Sequence, residues 1–203
     1  LDLALEPTVA LPFDTPVNGR LELARESQLY RFFGVAGQRL FFDPQFSTGP
    51  AAWTVFSPNN QSLGLPDFGS DFALTLPETG TYGFVVASDV NTALAYRFEV
   101  ITPTAIAAPL PLGEELEVSL TTPGAQLRFT FNGSVGQRLY LDELGSDPID
   151  FDTRLLGPDG TAIFQVNGVH ADLGPVTLRV AGTYTMVIGG NTAETGGFRF
   201  RLL

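Results

Sequence analysis

A group of five acidic residues in the second half of the chain has the residue types from which a metal site could be built. Ca²⁺ takes several oxygen ligands from a flexible loop, and this segment offers them close together, at Asp142, Glu143, Asp147, Asp150 and Asp152. Their spacing differs from the Asp-x-Asp-x-Asp-Gly order of an EF-hand. The favoured interpretation is a solvated loop whose aspartates cap turns through their own backbone, and a calcium site is the alternative.

Residues suited to catalysis are sparse. His170 is the only histidine, it stands in a turn-like stretch, and no Gly-x-Ser-x-Gly sequence supplies a nucleophile beside it. The chain has no cysteine, which excludes thiolate chemistry, disulfides and a cysteine-ligated zinc site. A carboxylate pair of the glycosidase type stays open, although acids are dense only between Asp147 and Asp152. We therefore predict no catalytic residues and no cofactor other than calcium.

Large aromatic side chains are the other candidates for a binding surface. Trp53, the only tryptophan, shares strand parity with Val55, which favours a core position over an exposed stacking platform. Phenylalanine is over-used, with 17 residues, and two adjacent pairs occur, Phe32 with Phe33 and Phe41 with Phe42. Neighbouring side chains of a strand point to opposite faces. One ring of each pair should therefore enter the core, and the other should meet a neighbouring domain or a partner.

The charge of the chain restricts its partners. The formal net charge is −11, and all 11 basic residues are arginines. Nucleic-acid binding depends on clustered positive charge, so we expect no nucleic-acid partner. The negative charge favours solubility and also suits divalent cations. No apolar run of about 18 residues is present, so we expect no membrane insertion.

The segments that would position these residues have the pattern of β-strands. In residues 126–131, Leu127, Phe129 and Phe131 alternate with polar residues, and residues 28–33 are matched to this segment. A glycine-containing turn and a second apolar segment follow each of them, which predicts a hairpin. No window shows a helical stripe with caps. We predict seven or eight short antiparallel strands in each half of the chain, arranged as a β-sandwich.

An internal repeat organises the chain. Four motifs recur in the same order in the two halves at offsets of about 100 residues. They are Gly37-Gln38-Arg39-Leu40 with Gly136-Gln137-Arg138-Leu139, Phe56-Ser57-Pro58-Asn59-Asn60 with Leu156-Gly157-Pro158-Asp159-Gly160, Gly80-Thr81-Tyr82 with Gly182-Thr183-Tyr184, and Tyr96-Arg97-Phe98 with Phe198-Arg199-Phe200. We therefore predict a leader over residues 1–15, a first domain over 16–102, a proline-rich linker over 103–111 and a second domain over 112–203.

These motifs resemble those of the bacterial pre-peptidase C-terminal (PPC) domain. That family has an Asp-hydrophobic-Asp-hydrophobic strand followed by a Pro-Asp-Gly turn, and the second repeat contains both, with Asp150 and Asp152 in the strand and Pro158-Asp159-Gly160 in the turn. The Gly-Thr-Tyr strand start and the closing aromatic strand are present in both repeats. The first repeat departs from the pattern, because Pro50 and Ala52 stand where Asp150 and Asp152 would be.

The resemblance implies two tandem jelly-roll-like sandwiches in a secreted or cell-surface bacterial protein, since relatives are accessory domains that bind collagen, carbohydrate or calcium. We expect the chain to be a fragment of a longer polypeptide, with any signal peptide upstream. The leading hypothesis is a non-catalytic binding module for a polysaccharide, a matrix protein or a surface assembly. The alternative is a purely architectural repeat of a surface layer, filament or adhesin stalk. An accessory domain of a secreted hydrolase ranks last.

Overall fold

The chain forms two all-β units. The structure is a computed structural model that describes residues 8–22, 26–64, 67–88, 91–146, 151–166 and 172–203. In these ranges every regular element is a strand, and no helix is present that could cross a membrane. The chain divides into compact units at Leu1–Thr102 and Pro103–Leu203. The prediction of an all-β fold is confirmed.

The first unit is a sandwich of two four-stranded sheets. One sheet has the order β1-β3-β7-β5 and the other β2-β8-β4-β6. The strands are β1 Val9–Ala10, β2 Val17–Leu21, β3 Ser27–Gly34, β4 Arg39–Ser47, β5 Ala52–Phe56, β6 Phe72–Thr75, β7 Gly80–Ala87 and β8 Leu94–Ile101. Side chains from both sheets meet in one core cluster, in which Trp53 is 1% exposed and packs against Phe68 at a centroid distance of 4.8 Å. The predicted core position of Trp53 agrees with this packing.

The second unit repeats this strand order. Its sheets are β14-β13-β16-β11-β9 and β10-β17-β12-β15. The strands are β9 Ala105–Pro109, β10 Glu115–Leu120, β11 Gln126–Gly133, β12 Arg138–Ser146, β13 Thr153–Leu156, β14 Ala162–Val166, β15 Leu173–Thr177, β16 Gly182–Gly189 and β17 Gly196–Leu202. Each strand of the first unit has a counterpart in the second, and β14 is additional. The sequence repeat is therefore also a repeat of topology.

The predicted hairpins are wrong. β3 and β4 belong to different sheets, as do β11 and β12, so the turn between them crosses from one sheet to the other. The Gly-Gln motif builds this crossing: the Gln38 side chain accepts a hydrogen bond from the Val35 N–H, and Gln137 accepts one from Ser134, both at 3.0 Å. A short polar turn between two apolar strands looks the same in sequence whether the strands pair or face each other.

Two further expectations need correction. Residues 105–109, placed in the predicted linker, form β9, which pairs with β11 in parallel. Within the predicted leader, Val9–Ala10 forms β1, which likewise pairs in parallel with β3. The sheets are therefore not wholly antiparallel. Prolines are compatible with edge strands such as β1 and β9. A missing backbone N–H on the outer side of an edge strand interrupts no ladder of hydrogen bonds.

The match between residues 28–33 and 126–131 is out of register by one residue. Gly34 is paired with Gly80 and Gly133 with Gly182, which sets Phe32 against Phe131. Phe32 stacks on Tyr82 at 5.2 Å between ring centroids, and Phe131 stacks on Tyr184 at 5.6 Å. A shift of one residue exchanges the two faces of a strand, so the correct register matters for every surface comparison below.

The predicted division of the phenylalanine pairs fits both strands, because one ring of each pair belongs to the core cluster and the other does not. Phe32 is buried in the core and Phe33 is 64% exposed, on opposite faces of the strand. In β4, both Phe41 and Phe42 are fully buried, and only Phe42 belongs to the core cluster. The exposed aromatic surface of the first unit is therefore smaller than the sequence indicates.

Candidate functional site

The structure does not gather the predicted calcium ligands that it describes. Asp142 forms an ion pair with Arg201, whose Nε also donates to its Oδ2 at 3.2 Å. The Oδ2 of Asp152 accepts a hydrogen bond from the Asn191 amide at 2.9 Å. Over the described ranges, no group of three or more His, Cys, Asp or Glu side chains could hold a metal. Asp147 and Asp150 lie outside the described residues, so the calcium site stays a prediction.

The backbone of Glu143 is hydrogen-bonded to Asp172, an acid that was not among the predicted ligands. The Tyr140 hydroxyl donates to its Oδ2 at 2.7 Å, and the Glu143 backbone N–H donates to its Oδ1 at 3.0 Å. These hydrogen bonds lower the pKa of Asp172, while the bond to this carboxylate raises the pKa of Tyr140. Asp172 therefore fastens the start of β15 to β12 as an ionised carboxylate. His170 lies outside the described residues.

A groove in the second unit is the best-formed candidate for a binding site. It encloses about 790 Å³ and lies between the turn at Pro158, the edge strands β14 and β15, and the residues before β16. Apolar side chains dominate its lining, and the more exposed lining residues include Ile163 at 41% and Val180 at 58%. A volume of this size suits a small ligand or a few residues of a chain.

In the first unit, a side-chain bridge spans the equivalent position. There, the Asn59 amide donates to Glu78 Oε2 at 2.5 Å and ties the turn to the residues before β7. The turns themselves are alike, since the N–H of Asn60 bonds to the Ser57 carbonyl and that of Gly160 to the Gly157 carbonyl, both at 2.9 Å. The counterparts of Asn59 and Glu78 are Asp159 and Val180, which cannot form this hydrogen bond.

Two of the polar side chains that line the groove already form hydrogen bonds, and a third has no partner of opposite charge among the described residues. Asp159 accepts hydrogen bonds from Thr161 Oγ1 at 2.7 Å and from the Thr161 N–H at 3.0 Å, and both lower its pKa. The Tyr184 hydroxyl donates to the Val180 carbonyl at 2.6 Å. Arg179 is exposed and has no acid partner in the described part of the chain. The lowered pKa makes Asp159 a weak general base toward the Thr161 hydroxyl.

The groove adjoins an open sheet edge. β14 pairs with β13 on one side, and no described strand covers its other side. In the first unit, the described part of the segment that follows β5 forms no strand, and it makes the isolated pairs Phe56 with Ser62 and Ala52 with Asp67. The second unit thus presents a five-residue edge strand, with a bulge in its pairing to β13, where the first has irregular chain. Unpaired backbone groups on such an edge can pair with an added strand.

A smaller cavity marks the place where the first repeat departs from the PPC pattern. It encloses about 410 Å³ beside the start of β5, and Pro50 and Ala52 line it. Asp67 is the one acid among the described residues that line it.

Sequence patterns did not reveal the groove. Its signal lies in two differences between the repeats, Asn59 against Asp159 and Glu78 against Val180. These residues are 19 positions apart in the first unit, and only the fold shows that they form one bridge.

Comparison with known proteins does not identify a family. No family model matches the chain, and no curated protein matches it. A periplasmic inhibitor of g-type lysozyme from Aeromonas hydrophila, PliG, has 19% identity and a TM-score of 0.38, covering 46% of this chain and 95% of that one. A glycosyl hydrolase family 2 member from Bacteroides cellulosilyticus has 8% identity and a TM-score of 0.25, covering 87% of this chain and 24% of that one. Likenesses this low carry no argument about function.

Proposed function

We propose that the chain is a non-catalytic binding module of a secreted or cell-surface bacterial protein, and that the second unit binds an extended polypeptide segment along β14. One observation carries the proposal: an open edge strand borders a groove in the second unit, whereas a side-chain bridge spans the equivalent position in the first unit. Strand addition supplies main-chain hydrogen bonds, and a neighbouring pocket receives alternate side chains. The groove supplies such a pocket, with apolar walls at Ile163, Val176 and Val180.

A polypeptide fits this site better than a polysaccharide. Sugar rings stack on exposed aromatic faces, but Tyr184, the aromatic residue of the groove, is 1% exposed and its hydroxyl is already bonded. Trp53, the other sequence candidate for such a platform, lies in a core. Backbone donors and acceptors on an open edge suit another backbone.

We also propose that the chain belongs to the PPC family. The Pro-Asp-Gly motif forms the turn that borders the groove, and the Gly-Thr-Tyr motif begins β16, whose tyrosine lines it. Two of the four motifs of the resemblance thus border the proposed site. Secretion is proposed with this family assignment.

An architectural role is the second candidate, because the first unit has an apolar patch at one end of β3. Phe33 is 64% exposed and Val35 is 52% exposed, whereas their counterparts are Asn132 and Ser134. A contact with a neighbouring module would cover this patch. Self-association that Phe33→Asn/Val35→Ser abolishes, measured by sedimentation velocity, would favour the architectural role. A monomer at all concentrations would count against it.

The experiment for the binding function is a selection of linear peptides displayed on phage, using the whole chain as the target. The decisive variant is Asp159→Asn/Val180→Glu, which places the first unit's bridging pair in the second unit. Because both residues already occur at these positions of the first unit, the variant should fold. Selected peptides should bind the wild type and lose at least tenfold in affinity for the variant.

The matched control is Val135→Glu, which changes an exposed valine of the same unit outside the groove. It should bind the selected peptides as the wild type does. Peptides that bind all three proteins equally, or a selection that enriches none, would contradict the proposed function.

A further inference from the structure

A row of paired residues crosses the outer face of the five-stranded sheet. Arg128 of β11 is paired with Val187 of β16, and Val187 is paired with Arg154 of β13. Tyr184, Met186 and Ile188 of β16 belong to the core, so Val187 and its paired neighbours face outward. The two arginines are two strands apart, which places their Cα atoms about 10 Å from each other.

Val187 is buried on the outer face of the sheet. It has no exposed area, although it faces away from the core. The counterpart in the first unit, Val85, is flanked by Leu29 and Thr54 and remains partly exposed. Arginines replace both of these flanking residues in the second unit. The stem of an arginine is apolar and suited to pack over a neighbouring valine, while its guanidinium group stays near the surface.

The guanidinium groups are not neutralised by described neighbours. Neither Arg128 nor Arg154 forms an ion pair in the part of the chain that the structure describes. One terminal nitrogen of Arg128 donates to Gln126 Oε1 at 3.1 Å, which fixes its orientation. The Nε of Arg154 is buried and has no hydrogen-bond partner among these residues. A buried donor left unpaired beside a second positive charge is an arrangement that an added acceptor would stabilise.

We infer that Arg128 and Arg154 form a binding site for an oxyanion on the outer face of the second unit. The ligand is a group such as a carboxylate or a sulfate, whose oxygens accept hydrogen bonds from both guanidinium groups over Val187. Arginine suits this role because its planar donors form paired, charge-assisted hydrogen bonds and it keeps its charge at every ordinary pH. The site is independent of the groove and its proposed peptide.

The acid on the same face is already engaged. Asp152 precedes Arg154 by two residues, so it lies on the same side of the strand. Its Oδ2 accepts the Asn191 amide, and its backbone carbonyl accepts the Gly189 N–H at 2.8 Å. Asp152 therefore already has partners of its own on this face.

The test is an NMR titration of the whole ¹⁵N-labelled chain, in which the arginine Nε–Hε signals are followed. Sodium sulfate and sodium acetate are added separately, with sodium chloride at equal ionic strength as the reference. The Arg154 signal should shift and saturate with at least one of the two oxyanions. Saturation with sulfate alone indicates a tetrahedral ligand, and saturation with acetate alone indicates a carboxylate ligand. Shifts no larger than those in chloride would overturn the inference.

Three variants make the result specific. Arg154→Thr introduces the residue of the first unit at this position, and Arg154→Lys keeps the charge but loses the planar fork. Both should weaken the saturable shift of the Arg128 signal at least tenfold. Arg31→Ala, on the same face of the corresponding sheet, should leave it unchanged. An undiminished shift in Arg154→Thr would also overturn the inference.

Discussion

The hydroxyl groups of Tyr30 and Tyr96 lie 2.8 Å apart in the core of the first unit and form a hydrogen bond between its two sheets. Tyr30 belongs to β3 and Tyr96 to β8, and their side chains are 4% and 2% exposed. Burial raises the pKa of both tyrosines, and the bond from Tyr30 raises that of Tyr96 further. Ionising either one would place a negative charge in an apolar core.

We therefore expect the first unit to lose stability in alkali. A raised pKa means that the neutral phenol stabilises the fold fully below the ordinary tyrosine pKa of about 10, and that this contribution is lost as the pH rises through the folded pKa. Near-ultraviolet circular dichroism should show unfolding that coincides with tyrosine ionisation at 295 nm. Tyr30→Phe/Tyr96→Phe should move this transition to higher pH. A transition at the same pH in the variant would show that other groups govern it.

Gly19 should not tolerate a side chain. It is paired with Tyr96, and a Cβ at this position would lie 2.1 Å from the tyrosine ring. Gly19→Ala should lower the free energy of unfolding of the first unit by about 3 kcal/mol, since the ring would have to move in a packed core. Denaturant titration measures this. Gly69→Ala is the control, because no atom lies within 4 Å of its added Cβ. Equal effects of the two substitutions would contradict the packing described.

The tyrosine near the start of β7 should contribute more stability than its counterpart in β16. Both donate to a carbonyl four residues earlier, Tyr82 to Glu78 at 2.7 Å and Tyr184 to Val180 at 2.6 Å, but the Tyr82 oxygen also accepts the Glu78 N–H at 3.1 Å. Replacing Tyr184 by phenylalanine should cost about 1 kcal/mol in the second unit, the usual worth of one such hydrogen bond, and Tyr82→Phe should cost more in the first unit. Amide hydrogen exchange measures the two units separately. A smaller loss for Tyr82→Phe than for Tyr184→Phe would refute this order.

The Asp172 hydrogen bonds should stabilise the second unit except in acid. Because they lower the pKa of this carboxyl, their contribution is present above its ordinary value near 4 and is lost as the pH falls through the folded pKa. Tyr140→Phe removes the first of these bonds. We expect it to lower the thermal midpoint at pH 7 and to have a smaller effect at pH 2. A loss of equal size at both pH values would mean that the tyrosine ring, and not the hydrogen bond, is responsible.

The sequence predicted which segments form strands better than it predicted which strands pair with each other. Alternation at Leu127, Phe129 and Phe131 identified a strand, but a one-residue ambiguity remained in the first repeat because its apolar residues stand in adjacent pairs, Leu29-Tyr30 and Phe32-Phe33. The turn at Gly37 was located correctly, yet its crossing between sheets depends on which distant strand β3 finds. The parallel strand β9 was hidden by prolines, which read as a linker unless the strand lies at an edge.

The candidate sites were harder to foresee for the same reason. Asp142 and Asp152 seemed available as ligands until the fold placed Arg201 and Asn191 beside them. The groove lies where the bridge from Asn59 to Glu78 has no equivalent in the second unit. Residues that are far apart in sequence and ordinary in type give no local signal when their contact is lost.

The alternation of consecutive strands between two sheets also dictates how each unit can fold. β8 lies between β2 and β4, and β17 lies between β10 and β12, so the last strand of each unit completes a sheet begun by its earliest strands. Almost no pairing forms between sequence neighbours, and a topology of this kind folds slowly because long loops must close before contacts are gained. A chain emerging from the ribosome cannot assemble either sandwich until its final strand has been synthesised.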